Sequence, residues 1–162
     1  MQQVLITVAM SEYDHTYALR CGKVKVDGVE LNYLKLPPRE IFWRMLRYHE
    51  FDASEMSLSS YLLLRAQGND DFVALPVFPS RSFRHSCVYV RADSDISHPD
   101  ELKGKRILIN EYQMTLGLWM RALFQHEYGV HPAEMEWFTV SEERIPIVFP
   151  PGVRVRKIEK QN

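Results

Sequence analysis

The sequence predicts an α/β fold built on largely parallel sheet. Short β-branched apolar runs alternate with segments of helical periodicity along most of the 162 residues. Prolines and glycines, 9 and 7 in number, fall mostly at the boundaries between these segments. With 46% hydrophobic and 25% charged residues, the chain is rich enough in apolar side chains to bury a core.

Val4 to Ala9 is an apolar, β-branched run and predicts the first strand. Ser11 to Asp14 is a polar loop, and Thr16 to Arg20 reads as a short helix stopped by Gly22. Val24–Val26 and Val29–Leu34 flank Asp27-Gly28, the dipeptide that suits a hairpin turn. Pro37-Pro38 opens a helix whose Ile41, Phe42, Met45, Leu46 and Tyr48 form an apolar stripe. Phe51 to Met56 reads as a short strand, and a second helix starts at Ser57 or Leu58 and stops at Gly68. Phe72–Phe78 and Ser86–Val90 read as strands, and Ser97–Leu102 as a helical turn. Lys105–Asn110 is a strand, Met114–Tyr128 the longest helix, closed by Gly129, and Met135–Val140 a last strand. Trp119 is expected in the core. The expected domains are a first lobe over 1–92, the start of a second over 93–140, and an extended tail over 141–162 that frays from Lys157.

The net charge of −1 favours neither nucleic acid nor a membrane surface as partner. The N-terminus, MQQVLITVAMSEYDHT, lacks the basic and long apolar regions of a signal peptide, and the 2 cysteines form no CxxC. A cytoplasmic protein is expected. The 6 histidines are scattered without HExxH spacing, so no metal site and no cofactor are expected. No GxSxG, Walker A or GxGxxG motif occurs.

Parallel sheets bind ligands beyond the carboxyl ends of their strands, where helix N-termini offer free N–H groups. Four polar segments occupy such places. The first supplies Asp14 and His15, an acid beside an imidazole. The second carries Glu55, Ser57, Ser59 and Ser60; these serines cap a helix, or also hold an anion there. The third, "LPVFPSRSFRHS", carries Ser80, Arg81, Arg84 and His85. It is either a solvated loop or an anion site. No acidic residue lies between Phe72 and Arg91 to neutralise the guanidiniums, which favours the site, and paired arginines suit bidentate carboxylate recognition. The fourth has Glu111, Gln113 and Thr115, the last a candidate helix cap.

Together, "EFDASEMSLSSYL", "LPVFPSRSFRHS", "DELKGKRI" and "EYQMTLGLWMRALFQHEYGV" resemble the 4,5-dihydroxyphthalate decarboxylase family. "SEYDHTYAL" and "PREIFWRML" fit the same pattern, so the resemblance runs from Val4 to Trp137. That family is similar in fold to the type 2 periplasmic substrate-binding proteins. The resemblance therefore implies two lobes of mainly parallel sheet flanked by helices, with the ligand in the cleft. The chain has about the length of the family's N-terminal half. The C-terminal part that completes the fold would be missing, and a homo-oligomer is expected to cover the exposed edges.

The implied reaction is loss of carbon dioxide from an aromatic dicarboxylate. Arg81 and Arg84 would clamp its carboxylates, with Ser57, Ser59, Ser60, Ser80, Glu111, Gln113 and Thr115 as further substrate-binding groups. His85 or His15 would deliver a proton to the ring carbon, tuned by Asp14 or Glu55. The rival expectation is a binding protein for a small carboxylate or other anion, using the same side chains without chemistry.

Overall fold

The computed structural model describes residues 3–159. It is α/β, with two small parallel sheets in two compact units. Residues 1–57 and 73–81 make unit 1, and residues 58–72 and 82–162 make unit 2. This division differs from the boundary expected at residue 92, because the chain passes between units at residues 57, 72 and 81.

In unit 1, β1 (Val4–Met10) is the central strand, with β2 (Val29–Lys35) on one side and the short β3 (Ala53–Ser54) on the other. Both neighbours run parallel to it, from Val4 opposite Val29 through Met10 opposite Lys35, and with Val8 opposite Ala53. A hairpin at Asp27-Gly28 does not form. Gly28, at φ +77°, makes a tight turn closed by the Val29 N–H on Val26 O, but the turn only redirects the chain. Val29 then starts a strand that finds its partner in β1 rather than in Val24–Val26. The crossover to β2 carries a short helix, α1 (Tyr17–Arg20).

Helix α2 (Pro38–Tyr48) begins with Pro38 in its first turn, where the missing N–H costs nothing. Its Ile41 packs with Ala9 and Phe51, flanked by Phe42 and Met45, to form the core of this unit. Tyr48, expected on the apolar stripe, is exposed and meets Trp43 edge-on.

In unit 2, α3 (Leu58–Ala66) precedes a sheet of β4 (Arg106–Ile109), β5 (Glu136–Thr139) and β6 (Arg154–Lys157). The strands lie in that order and all run parallel. Strand β6 is a correction to the expected tail: its alternating Arg and Val hide a sheet strand behind basic composition. Helix α4 (Thr115–Tyr128) joins β4 to β5 and ends at Gly129, whose φ of +65° is the left-handed conformation a glycine cap permits. Tyr112, Met120, Phe124, Val130, Met135 and Trp137 form the core. Trp119 lies on the opposite face of α4 and is half exposed, so it is not a core residue.

The strands expected over Phe72–Phe78 and Ser86–Val90 are absent. His85–Cys87 forms a 3-10 turn instead. Both stretches have strand-like composition but no ladder partner among the described residues, and unpaired backbone does not make a strand. Val73, Phe83 and Tyr89 are therefore almost fully exposed, at 88%, 88% and 87%. Among the described residues no helix is long and apolar enough to cross a membrane.

Candidate functional site

Unit 1 carries an open cleft of about 820 Å³ at the carboxyl end of β1. Met10, Tyr13, Asp14, His15, Ser80 and Arg81 are among its walls. Two of the four polar segments thus meet here, Asp14 and His15 from one and Ser80 and Arg81 from another. Asp14 and His15 stand in a 3-10 turn that follows β1 (Asp14–Thr16), and their side chains are exposed. The Tyr13 and His15 rings are stacked with centroids 5.5 Å apart. Arg81 is exposed and donates from Nε to its own loop at Phe78 O, 3.3 Å away.

Glu55 lies behind this wall and is buried. Its backbone N–H pairs with Ala9 O at 3.1 Å, just past β3, which brings the side chain under the Ser11–Tyr13 loop. Its carboxylate accepts from Ser11 N at 2.6 Å and from the Tyr13 hydroxyl at 2.6 Å. The Tyr13 phenol is consequently pushed up to about 12, first by burial and then by the adjoining Glu55 carboxylate. The sequence marks Glu55 as a site residue but gives no sign of Tyr13 as its partner.

Unit 2 holds a second polar cluster. Ser59, Ser60, Glu111 and Gln113 are all buried. Thr115, expected to cap α4, is that helix's first residue, and its hydroxyl serves α3 instead. It accepts from Ser59 N at 3.1 Å and donates to Ser59 Oγ at 3.2 Å. The turn just before α4 is tied by Glu143, whose carboxylate accepts from Tyr112 N at 2.7 Å and Gln113 N at 3.0 Å. Arg144 donates from Nε to Glu111 at 2.7 Å. The Gln113 amide oxygen, turned toward the main chain, accepts from Arg144 N at 3.0 Å and Ile145 N at 3.3 Å. Glu111 and the α4 entry therefore have internal partners. Sequence reasoning misses both Glu143 and Arg144, because they sit about 30 residues downstream in a stretch of tail-like composition with no local motif to mark them.

Beside this cluster, Arg121 lies with its guanidinium 3.7 Å over the Tyr112 ring. Burial pulls that guanidinium below its ordinary value, while the same burial raises the Tyr112 phenol.

Ser57 is buried at the end of unit 1. Arg84 and His85 belong to unit 2, where His85 opens an exposed 3-10 turn. The residues that line the unit 1 cleft include Arg81 and not these two. Among the described residues no group of three or more His, Cys, Asp or Glu side chains could hold a metal ion.

No family model matches the chain. Two curated proteins do. A 4,5-dihydroxyphthalate decarboxylase of Comamonas testosteroni is 42% identical over 159 residues, covering 94% of this chain and 48% of its relative. A 4,5-dihydroxyphthalate decarboxylase of Pseudomonas putida is 38% identical over 137 residues, covering 85% of this chain and 53% of its relative. The chain spans about half the length of both curated relatives. By sequence it is a partial match to the 4,5-dihydroxyphthalate decarboxylase family, homologous across about half the length of those two proteins.

Proposed function

We propose that this chain supplies part of a carboxy-lyase that releases carbon dioxide from an aromatic dicarboxylate such as 4,5-dihydroxyphthalate. The 42% identity over 159 residues to a protein of that name carries the reading. The unit 1 cleft supports it, because its walls combine a guanidinium, an imidazole and hydroxyls on one side of a parallel sheet.

Two tasks fall to these residues. A hydroxylated benzene ring loses a carboxylate when a proton reaches the ring carbon that bears it, while ring hydroxyls feed electron density to that carbon. Arg81 holds a carboxylate and fixes the ring's position. His15, unlike His85, lines the cleft, and it delivers the proton, with Asp14 beside it in the same wall. Ser57, Ser59, Ser60, Arg84, His85, Glu111, Gln113 and Thr115 remain candidate substrate groups outside this wall. The finer fold assignment, type 2 periplasmic-binding-protein-like, belongs to the same reading; each unit carrying a three-stranded parallel sheet is in keeping with it.

The test is incubation of the chain with 4,5-dihydroxyphthalate, following carbon dioxide release and ligand-induced thermal shift together. Release that falls at least tenfold in His15→Gln, with the thermal shift retained, is the expected result. A thermal shift with no release from the unaltered chain would reduce it to a binding protein.

A further inference from the structure

His15 is exposed on a 3-10 turn, where an imidazole on two free side-chain torsions would sweep the cleft mouth rather than hold one direction. Tyr13 restrains it in three ways. Its carbonyl accepts from Thr16 N and from Thr16 Oγ1, both at 3.1 Å, and so closes the turn around His15. Its ring lies beside the imidazole, nearly parallel at 20° with centroids 5.5 Å apart. Its hydroxyl donates to Glu55 Oε2 at 2.6 Å, which stops the ring from swinging away. Glu55 is itself buried and hydrogen-bonded through its backbone to Ala9 of the central strand, and its second oxygen accepts from Ser11 N at 2.6 Å. Sheet, carboxylate, phenol and imidazole thus form one continuous chain of contacts inside unit 1.

We propose that Tyr13 is the positioning residue for His15, holding its imidazole in the cleft wall, and that Glu55 serves as the anchor of Tyr13 and not as an acid or base. The sequence suggests that Glu55 tunes the proton donor directly. Both of its oxygens already have protein donors, and its link to His15 runs through the Tyr13 ring. A neutral ring passes no charge to the imidazole beside it, so what Glu55 and Tyr13 govern is orientation. Orientation is what delivery of a proton to one ring carbon demands. Resting on the reading of His15 as the proton donor, this adds the group that keeps it in place.

Proton NMR of the chain tests it apart from any turnover. The His15 ring signals, assigned by their loss in His15→Gln, should be displaced from those of an exposed histidine by the Tyr13 ring current and show cross-peaks to the Tyr13 ring. In Tyr13→Leu they should move to exposed-histidine positions. In Tyr13→Phe, which keeps the ring and loses only its anchor, they should move part of the way. A single cooperative melting transition shows that each variant is folded. Carbon dioxide release from 4,5-dihydroxyphthalate reads the consequence. A stacked aromatic pair favours its held orientation by about tenfold at most, so kcat should fall by up to about tenfold in Tyr13→Leu and about threefold in Tyr13→Phe. KM should stay within about twofold, because the hold of Arg81 on the carboxylate is untouched. His15 signals that do not move in folded Tyr13→Leu, or a kcat kept in both variants while His15→Gln loses it, would overturn the proposal. Signals that move as expected while His15→Gln keeps full release, or while the unaltered chain releases no carbon dioxide, would leave Tyr13 as the residue that orients His15 and remove the proton-donor reading.

Discussion

Arg121 grips Tyr112 twice: its guanidinium lies 3.7 Å over the ring, and Nη1 donates to the same residue's carbonyl at 2.6 Å. The approach is possible because Gly117 lies between them. A Cβ there would meet Tyr112 O at 3.1 Å, Arg121 Nη1 at 3.1 Å and Ile109 Cδ1 at 2.6 Å. Alanine at 117 would gain about 1 kcal/mol of helix propensity. Wedging apart backbone and guanidinium costs about 1–3 kcal/mol, so the clash wins. Gly117→Ala is expected to lower stability by about 1 kcal/mol in urea denaturation, and Arg121→Lys by about 1–2 kcal/mol through loss of the planar stack. A stabilised Gly117→Ala variant would show that Arg121 does not hold this position.

Glu143 satisfies two backbone donors at the entry to α4 that no local side chain reaches. Glu143→Ala should cost about 1–3 kcal/mol, and Glu143→Gln, which keeps one acceptor, about half of that. Amide exchange at Tyr112 and Gln113 should quicken in both variants. Unchanged exchange would mean that water or another group serves these N–H groups equally well.

The chain has 8 tyrosines, and Tyr13 should titrate late among them, near 12. Its folded value lies above the ordinary 10.0, so the stability it contributes is complete below pH 10 and is lost as pH climbs from there through about 12. An absorbance titration at alkaline pH should lose its latest step in Tyr13→Phe. In Glu55→Gln that step should move down, since the neighbouring carboxylate is one of the groups holding the proton on. A step that stays at the same pH in Glu55→Gln would leave burial as the sole cause.

Val73, Leu75, Val77, Phe83 and Tyr89 are exposed apolar side chains on backbone outside any sheet. Brief chymotrypsin digestion should cut first after Phe83 or Tyr89, before any site within β1 or α4. The same side chains favour self-association, and sedimentation at rising concentration should show species heavier than 19.1 kDa. A monomer at every concentration would mean that this apolar surface attracts no second copy.

Much of the local structure is legible in the sequence because it is set by neighbours. Pro38 starts α2, Gly129 ends α4, and the β-branched run from Val4 makes β1. Pairing is another matter. Asp27-Gly28 carries the chemistry of a hairpin turn, yet Val29 pairs with Val4 in parallel, a choice made by distant chain. Phe72–Phe78 has strand composition and no partner, whereas Arg154–Lys157 has the composition of a charged tail and pairs with β5. The site divides in the same way. Loop polarity singles out Asp14, His15, Ser80 and Arg81, whereas Tyr13, Glu143 and Arg144 owe their places to contacts between 30 and 42 residues away in the chain.

The carboxylate that closes the α4 entry also sets an order of events during synthesis. Gln113 leaves the ribosome 30 residues ahead of Glu143. At about 5–20 residues per second, the turn leading into α4 spends about 2–6 s before its carboxylate acceptor has even been made. Until then those two N–H groups, just ahead of α4, have nothing but solvent, and β6 is still unsynthesised. Slowing translation between these two codons should therefore lengthen the life of an open, chaperone-accessible intermediate, whereas slowing it before Gln113 should not.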